Sequence, residues 1–402
     1  APAADGGFPD TAWAGNHSLM STVTVAMVAG EASGDLLAAH LIVALRQHLP
    51  NARFVGIGGP KMQREGFDAW WPSEKLAVHG YTEALRHYRE IAGIRRRLLA
   101  RLIDQRPDVF IGVDAPDFNL WLEARLRARG VPAIHYVSPS IWAWRSGRLA
   151  KIARSVSHML ALFPFEPEIY RRQRIPVSYV GHPFADMIPL EVDRAGAKAQ
   201  LGVSKVAGPV FALLPGSRQS ELRQLADLWV ETAQRLLNRF PDSVFLVPLV
   251  SRETRLMFEE AIWRQGAQDL PFKLLFGHAR EALAACDAAL VASGTATLEA
   301  ALLKAPMVIA YRLAPLSWQL MRRMRLQPWI GLPNILAGRF VVPEFLQDDA
   351  SADNLAQALG NLVGDVQVKA AMGRVFASLH RQLRQGTAEK AASAILPYLQ
   401  AG

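Results

Sequence analysis

The chain has 402 residues, half of them hydrophobic and one fifth charged, so it is long enough for two or three domains, and its apolar fraction excludes intrinsic disorder. Lys and Arg outnumber Asp and Glu by 45 to 36, and the net charge of +9 indicates an anionic partner: nucleic acid, an acidic membrane surface or a phosphorylated substrate. The single cysteine, Cys286, excludes an intramolecular disulfide framework and a cysteine-rich zinc site, and no apolar run is long enough to cross a membrane.

The first half of the chain alternates short apolar runs with helical stretches. Residues 1–20 are rich in Ala, Gly and Pro, and we expect them to form a disordered extension outside the fold. The apolar runs predict strands, and a helical period predicts helices at residues 36–49 and from about 84 to 105. The predicted strands are residues 23–29, 52–57, 109–113, 133–137, 159–163 and 178–180. Strands that alternate with helices predict a parallel sheet covered on both faces.

The same pattern restarts after a less regular stretch at residues 183–209. It predicts a helix at residues 221–240 and strands at residues 210–214, 243–247, 273–276, 288–292 and 307–311. We therefore predict two Rossmann-like α/β domains, residues 21–190 and 191–351, followed by a helical tail at residues 352–402. Two such domains place a crevice between the carboxyl ends of two sheets, where nucleotide ligands tend to bind.

The turn after the first predicted strand reads Gly-Glu-Ala-Ser-Gly-Asp, at residues 30–35. Its glycines let the backbone approach a ligand closely, and the helix that follows offers free N–H groups. The glycine spacing differs from that of the dinucleotide fingerprint, and the Gly-Lys-Ser/Thr of a Walker loop does not follow. The alternative is a tight turn in which Ser33 or Asp35 caps the helix.

Two carboxylates follow the third predicted strand. Asp114 is expected at the carboxyl end of that strand, facing the crevice, where a carboxylate can act as a general base. Asp117 precedes a helix and is equally suited to capping it. The alternative for both residues is capping together with hydrogen bonding within the loop.

The second half contains two further strand-to-helix turns with polar residues. One ends at Arg218, whose guanidinium, with backbone N–H groups, is suited to neutralise a diphosphate without a metal. The other runs from Ser293 to Glu299; its small residues leave room for phosphate oxygens, and Glu299 is placed to accept hydrogen bonds from ribose hydroxyls. The alternatives are a solvated arginine at a helix start, and a helix N-terminus where the dipole favours Glu299.

Seven arginines lie between residues 86 and 106, in a segment whose apolar residues recur at three- or four-residue spacing. This pattern predicts an amphipathic helix with a basic face. One interpretation is a peripheral contact with anionic lipid, aided by Leu76, Val78 and Tyr81, and the alternative is core packing with a solvated basic face. Nucleic acid is disfavoured as a partner because no nucleic-acid-binding motif accompanies the charge. The ten histidines form no ligand-spaced cluster, so no metal site is predicted.

Taken in order, these blocks resemble those of the lipid-A-disaccharide synthases, a family of glycosyltransferases of lipopolysaccharide biosynthesis. The matching blocks are residues 30–35, 56–59, 114–119, 138–145, 180–183, 215–218, 293–299 and 332–334. The most specific are Gly-Glu-Ala-Ser-Gly-Asp and the Trp-Ala-Trp-Arg of Trp142 to Arg145. The resemblance implies an α/β fold of the GT-B type, with two Rossmann-like parallel-sheet domains and the active site in the crevice between them.

The resemblance also implies the substrates. The family joins UDP-2,3-diacylglucosamine to 2,3-diacylglucosamine 1-phosphate (lipid X), inverts the anomeric centre, and releases lipid A disaccharide 1-phosphate and UDP. The UDP-sugar is the donor substrate, so no cofactor is expected. The family implies peripheral association with the anionic cytoplasmic face of the inner membrane. Two arrangements of the helical tail stay open: it folds back on its own first domain, or it exchanges with a partner in a homodimer.

Carried over residue by residue, the resemblance implies a base, an acceptor group and a donor group. Asp114 is expected to be the base for the 6-hydroxyl of the acceptor. The acceptor or sugar side of the cleft is expected to be lined by Glu31, Ser33, Gly34 and Asp35. The donor is expected to contact Arg218, Ser293, Gly294, Thr295 and Thr297 through its diphosphate, Glu299 through its ribose, and Asn334. Two other interpretations are a UDP-sugar epimerase or hydrolase on the same scaffold, and a basic, membrane-adsorbed nucleotide-binding module.

Overall fold

Two parallel sheets organise the chain in the computed structural model. The structure describes residues 22–73, 76, 81–141, 146–314, 318–319, 323 and 327–400, and only the backbone of residues 81–88, 146 and 400. Within these ranges the first sheet has seven strands and the second has six. The extension expected at residues 1–20 lies outside the described residues, as do the side chains of Val78, Tyr81 and Trp142.

The first sheet is assembled from β1 to β7 in the spatial order β3-β2-β1-β4-β5-β6-β7. Its strands are β1 (Thr24–Ala29), β2 (Arg53–Gly58), β3 (Phe67–Pro72), β4 (Val109–Val113), β5 (Ala133–Tyr136), β6 (His158–Ala161) and β7 (Val177–Tyr179). The strand order reverses between β1 and β4, where Ala29 pairs with Val113. Such a switch point opens a crevice outside the carboxyl ends of the two strands.

Helices cover both faces of this sheet because its central strands are almost wholly apolar. They are α1 (Ala32–His48), α2 (Pro60–Arg64), α3 (Tyr81–Gln105), α4 (Pro116–Arg127), α5 (Leu149–Ser155) and α6 (Glu166–Arg171), with a 3₁₀ turn at Ser146–Arg148. The buried residues of α1 pack on one face with Val25 and Met27. On the other face, Leu98 of α3 and Leu122 of α4 pack against Val28.

The chain crosses to the second unit through α7 (Pro183–Met187) and α8 (Arg194–Gln200). The strands of the second sheet are β8 (Val210–Leu214), β9 (Val244–Leu249), β10 (Phe272–Phe276), β11 (Ala288–Ala292), β12 (Met307–Tyr311) and β13 (Glu344–Leu346), in the order β10-β9-β8-β11-β12-β13. Its helices are α9 (Gln219–Arg239), α10 (Arg252–Arg264), α11 (Ala279–Ala285), α12 (Thr295–Leu302) and α13 (Leu332–Ala337). The order reverses between β8 and β11, so this sheet has a switch point of its own.

The tail divides between the two units. It contains α14 (Ala352–Gly364), α15 (Val366–Leu383), α16 (Thr387–Ile395) and α17 (Pro397–Gln400). Leu355 and Phe376 belong to the core of the second sheet, whereas Ala391 and Ile395 pack in the core of the first. In this chain, therefore, the tail folds back on its own first sheet.

The chain passes between the two units twice, at residues 182–186 and 383–387, and these two segments are hydrogen-bonded to each other. The backbone N–H of His182 donates to the carbonyl of Leu383 at 2.9 Å. The Asp186 carboxylate accepts from the N–H groups of Gly386, at 3.0 Å, and Thr387, at 2.7 Å. The backbone segments that join the two units are therefore tied together at both positions.

Every strand predicted from the sequence is present, with ends shifted by a residue or two. Two strands, β3 and β13, have no predicted counterpart. Both are edge strands: β3 carries Asp68 and ends in Pro72, and β13 has three residues. Edge strands bury little surface, so their sequences lack the apolar pattern that marks the central ones.

Candidate functional site

The predicted base lies in a left-handed turn at the carboxyl end of β4. Asp114 has a φ of 53° and Ala115 a φ of 43°, a conformation that non-glycine residues adopt at an energetic cost. The Asp114 N–H donates to the carbonyl of Tyr136 at 2.8 Å, and its own carbonyl accepts from Nδ2 of Asn119 at 2.8 Å. The Asp114 side chain is half-buried. Its backbone is thus fixed from two elements.

A buried Glu123–His135 pair lies beside this turn and has no counterpart in the sequence prediction. Oε1 of Glu123 is 2.7 Å from Nδ1 of His135, and both side chains are fully buried. Burial raises the pKa of Glu123. Burial alone would lower the pKa of His135, but the charge and hydrogen bond of Glu123, with a contribution from Asp114, raise it. These three groups therefore share one electrostatic environment.

Asp35 has backbone partners that the sequence does not indicate. Its carboxylate is buried and accepts hydrogen bonds from the N–H groups of Gly59, Lys61 and Met62, at 3.0, 3.0 and 3.1 Å. It therefore caps the N-terminus of α2, and its place on the acceptor side of the cleft stays a prediction. A carboxylate at this position satisfies backbone donors that α2 leaves unpaired.

The other residues of the same turn differ in exposure. Glu31, at the N-cap of α1, and Ser33 are exposed, and Glu31 makes no capping hydrogen bond with its side chain. Gly34 is buried against Ala29 and Val113. The exposed side chains therefore stand at the switch point of the first sheet, next to β4, which ends at Val113, directly before Asp114.

Arg218 occupies the N-cap of α9, directly after β8. Gly216, with a φ of 111°, makes the turn, and a side chain there would collide with Glu221. Oε2 of Glu221 accepts from the N–H groups of Ser217, at 3.0 Å, and Arg218, at 3.1 Å. The Arg218 side chain is 78% exposed and lies 4.0 Å from Oε1 of Glu221. Its guanidinium is therefore accessible to a ligand at the carboxyl edge of the second sheet.

The turn at residues 293–299 presents backbone and small side chains beside the Arg218 turn, because β11 is the neighbour of β8. Gly294 (φ 109°) and Thr295 are exposed at the start of α12, and Ser293 is half-buried. Thr297 is buried, and its hydroxyl donates to the Gly294 carbonyl at 2.8 Å and accepts from Leu332 N–H at 3.2 Å, so its contact with the diphosphate stays a prediction. That hydroxyl is engaged in joining two turns.

Glu299 has a protein partner that the sequence did not indicate. Oε1 of Glu299 accepts from Nε of Arg280 at 2.9 Å, and both side chains are partly exposed. Arg280 also lies over the ring of Phe184, with its guanidinium carbon 5.0 Å from the ring centroid. Phe184 belongs to α7, so this arginine links the second sheet's turn to the crossing segment.

Asn334 is fully buried, and its Nδ2 donates to the Val342 carbonyl and to Oε1 of Glu344, both at 2.9 Å. Its Oδ1 accepts from the N–H groups of Val341, at 2.7 Å, and Val342, at 2.9 Å. Four hydrogen bonds use the full capacity of a carboxamide, so this side chain braces the loop before β13. Its contact with the donor stays a prediction.

Three further features bear on metals, membranes and ligands. Among the described residues, no group of three or more His, Cys, Asp or Glu side chains is arranged to hold a metal ion. Within the same ranges, no helix combines the length and apolar content that crossing a bilayer requires. A cavity of about 890 Å³ lies between α1, α7 and α16; its lining includes Leu37, Met187 and Arg384 but none of the predicted site residues.

The chain is similar to known proteins over most of its length. The family model described as lipid-A-disaccharide synthetase matches residues 25–395. The lipid-A-disaccharide synthase of Dechloromonas aromatica (strain RCB) is 60% identical over 380 residues, which cover 94% of this chain and 99% of the relative.

Similarity to solved structures supports the fold. UDP-GlcNAc 2-epimerase from Neisseria meningitidis, bound to UDP-GlcNAc, aligns with a TM-score of 0.62 at 13% identity, over 94% of this chain and 100% of that one. The calicheamicin glycosyltransferase CalG4 aligns with a TM-score of 0.57 at 14% identity, over 95% and 99%. Two Rossmann-like parallel-sheet units of the glycosyltransferase GT-B type, as predicted, are confirmed.

Proposed function

The chain belongs to the lipid-A-disaccharide synthetase family and is a glycosyltransferase, and from this premise we propose how its residues share the reaction. The reaction joins UDP-2,3-diacylglucosamine to 2,3-diacylglucosamine 1-phosphate and releases the disaccharide 1-phosphate and UDP. The observation that carries the proposal is the fixed, left-handed turn that holds Asp114 at the switch point of the first sheet. Exposed groups of the kind that can bind a diphosphate, Arg218 among them, stand at the carboxyl edge of the second sheet.

Asp114 is the base. As the 6-hydroxyl oxygen of the acceptor attacks the anomeric carbon of the donor, its proton passes to the Asp114 carboxylate and the bond to the UDP oxygen breaks. Attack opposite the leaving group inverts the anomeric centre. The backbone hydrogen bonds to Tyr136 and Asn119 limit how far Asp114 can move, so the carboxylate needs little reorganisation when the acceptor arrives. Glu31 and Ser33 line the acceptor side.

The second unit binds UDP and stabilises its departure. The negative charge that develops on the diphosphate is met by the exposed guanidinium of Arg218 and by the N–H groups at the start of α12, around Ser293, Gly294 and Thr295. Glu299 keeps one carboxylate oxygen for the ribose while the other bonds Arg280. These groups supply electrostatic stabilisation of the kind that needs no cofactor or metal.

Product analysis tests this assignment. Mass spectrometry of the wild-type enzyme with both acylated sugars is expected to show the tetraacyl disaccharide 1-phosphate and UDP, and no UDP without the acceptor. Asp114→Asn keeps the size of the side chain but removes the base, so kcat is expected to fall by about 10²–10⁴. The matched control is Asp269→Asn, an exposed aspartate of the second unit.

Full turnover by a folded Asp114→Asn enzyme would contradict the role of Asp114. Turnover of the UDP-sugar without acceptor would favour an epimerase or hydrolase instead. The epimerase similarity rests on the fold alone, at 13% identity, whereas the synthase relative shares 60% of its residues.

We also infer a peripheral contact with an anionic membrane surface, the cytoplasmic face of the inner membrane. Arg96, Arg97 and Arg101 of α3 are exposed, and Arg101 stacks on Trp70 with 4.0 Å between guanidinium carbon and ring centroid. Exposed cationic groups attract acidic lipid head groups within a Debye length. Co-sedimentation with acidic vesicles is expected at low salt and is expected to weaken as salt is added. Light scattering at several concentrations tests the homodimer.

A further inference from the structure

We propose that Arg280 is a positioning residue, which orients the Glu299 carboxylate for the ribose hydroxyls of the donor and so sets a preference for a ribonucleotide over a 2′-deoxyribonucleotide. The inference rests on the proposed function, in which Glu299 binds the ribose, and adds the residue that holds Glu299. Nε of Arg280 donates to Oε1 of Glu299 at 2.9 Å. Arg280 lies on α11 and Glu299 on α12, so the bond joins two helices of the second unit.

The bond engages one carboxylate oxygen of Glu299. A carboxylate accepts hydrogen bonds through both of its oxygens, and the 2′- and 3′-hydroxyls of a ribose are donors that suit it. With Oε1 bonded to Arg280, the carboxylate has a set orientation, and Oε2 remains as an acceptor for a hydroxyl. A side chain that is ordered before the ligand arrives loses less conformational freedom on binding. Arg280 therefore prepares Glu299 for the ribose.

An aromatic ring holds Arg280 in turn. The guanidinium carbon of Arg280 lies 5.0 Å from the ring centroid of Phe184, which belongs to α7. A cation over the face of an aromatic ring is attracted by the electron density of that face. A guanidinium that stacks through its flat face keeps its N–H edge for in-plane hydrogen bonds. Arg280 can therefore stack on Phe184 and bond Glu299 at the same time.

The stack continues from the second unit into the first. The ring of Phe184 contacts the imidazole of His182 with 5.1 Å between centroids, and His182 stacks on Phe163 at 5.7 Å. Phe163 lies just beyond the end of β6 in the first sheet, and it packs with Phe184 against the core of the second sheet. Burial lowers the pKa of His182 to about 4, so the imidazole is neutral near neutral pH, and its Nδ1 accepts from the Phe184 N–H at 3.2 Å. Arg280 therefore takes its position from both units.

The ion pair itself adds little to the stability of the fold. The Arg280 side chain is 37% exposed and that of Glu299 is 20% exposed. Ion pairs in contact with water contribute little, because the solvent screens the charges and two flexible side chains must be ordered. Removal of the Arg280 guanidinium is therefore expected to leave the protein folded, so that its effect on nucleotide binding can be measured.

The test compares the binding of UDP and 2′-deoxy-UDP to the whole chain by isothermal titration calorimetry. The two nucleotides share the base and the diphosphate and differ only in the 2′-hydroxyl. The wild-type protein is expected to bind UDP about 10- to 100-fold more tightly, because a hydrogen bond to a charged acceptor is lost with that hydroxyl. The ratio of the two Kd values is the preference that the variants are expected to change.

Arg280→Met keeps a long, unbranched side chain that can pack on Phe184 but cannot donate a hydrogen bond. We expect it to lower the preference for UDP about two- to tenfold, because Glu299 must then be ordered when the ligand binds. The KM for the UDP-sugar is expected to rise, and the KM for the acceptor to change by less than about twofold. In a protein that already carries Glu299→Gln, Arg280→Met is expected to have no further effect on the preference, because Arg280 acts through Glu299.

The matched control is Arg264→Met, which removes another arginine that joins two helices of the second unit. Nη2 of Arg264, on α10, lies 2.8 Å from Oδ1 of Asp227, on α9. This variant is expected to leave the preference and both KM values unchanged. Phe184→Leu is a second test variant, which removes the ring under the guanidinium and is expected to lower the preference about two- to threefold. If Arg280→Met does not fold, as judged by circular dichroism, Phe184→Leu decides the matter.

Four results would overturn the role of Arg280. They are equal weakening of both nucleotides in Arg280→Met, a full effect of Arg280→Met in the Glu299→Gln background, an unchanged preference in Phe184→Leu, and a wild-type protein that binds the two nucleotides equally. Equal weakening would show that Arg280 attracts the diphosphate and does not act on the ribose. Failure of the proposed function is distinct, because the wild-type enzyme would then form no disaccharide from the two acylated sugars, whatever its nucleotide preference.

Discussion

Replacing Glu123 by alanine is expected to destabilise the first-sheet unit strongly. The Glu123 carboxylate and the His135 imidazole are 2.7 Å apart, and both side chains are fully buried. Removal of one partner leaves the other as an unpaired polar or charged group in the protein interior, which solvates charge poorly. Such changes lower the free energy of unfolding by about 3–5 kcal/mol. Among the described residues, Oε2 of Glu123 and Nε2 of His135 have no other hydrogen-bond partner, so no neighbouring group replaces the lost contact.

The size of this loss is expected to depend on pH. In the wild-type protein the folded pKa of His135 is raised above its ordinary 6.5, so its contribution to stability is fully present below pH 6.5 and is lost as the pH rises through the folded pKa. Without Glu123, burial lowers the pKa of His135, so the unfolded variant binds the proton more tightly than the folded one. The gap between wild type and variant should therefore widen as the pH falls from 8 to 5.5, by up to about 1.4 kcal/mol for each unit between the two folded pKa values.

The assay is urea unfolding followed by circular dichroism at pH 5.5, 6.5 and 8, fitted with a separate transition for each unit because two-domain chains need not unfold in one step. The double variant Glu123→Leu, His135→Leu is the control, since an apolar pair of similar volume is often neutral. This double variant should recover most of the stability that Glu123→Ala loses. A loss below about 1 kcal/mol in Glu123→Ala, or a double variant that loses as much stability as Glu123→Ala, would refute the reasoning.

Three further substitutions test other contacts described above. Gly112→Ala would drive a methyl group into Oε1 of Glu123, so we expect a lower melting temperature by differential scanning fluorimetry, and unchanged melting would contradict this packing. Asp35→Asn is expected to cost about 1–3 kcal/mol in urea unfolding, because the carboxylate accepts three backbone N–H bonds, and to leave kcat unchanged in the folded enzyme. Asn334→Ala is expected to lower the free energy of unfolding by at least ~2 kcal/mol, because four hydrogen bonds are lost, while the KM for the UDP-sugar stays the same. A raised KM at unchanged stability would instead support a contact between Asn334 and the donor.

The sequence predicts the central strands and the turns that follow them because both depend on local patterns. An apolar run such as residues 109–113 marks a buried strand, and polar residues directly after it mark the carboxyl edge of the sheet. Asp114, Arg218 and Gly294 were predicted at these edges from chain position alone, and the structure has them there. The division into domains and the roles of these residues stay predictions.

The surroundings of a buried polar residue do not follow from the local sequence, because its partners lie elsewhere in the chain. Asp35 accepts from backbone groups at residues 59–62, and Thr297 accepts from Leu332. No local pattern distinguishes a carboxylate or hydroxyl that faces a ligand from one that satisfies a distant backbone N–H. Glu123 was overlooked for a related reason: as a charged residue on an amphipathic helix it fits a solvated face, and only the packing of α4 against β5 buries it.

The positive charge that first suggested an anionic partner divides between two places. Arg96, Arg97 and Arg101 are exposed together on α3, and Arg218 stands at the N-cap of α9, at the carboxyl edge of the second sheet. Several exposed arginines on one helix suit a diffuse surface of acidic lipid, because such a surface requires no single bound geometry. One arginine beside the N–H groups of a helix start suits a localised diphosphate. Our proposal therefore assigns the charge of α3 to the membrane surface and that of Arg218 to the donor.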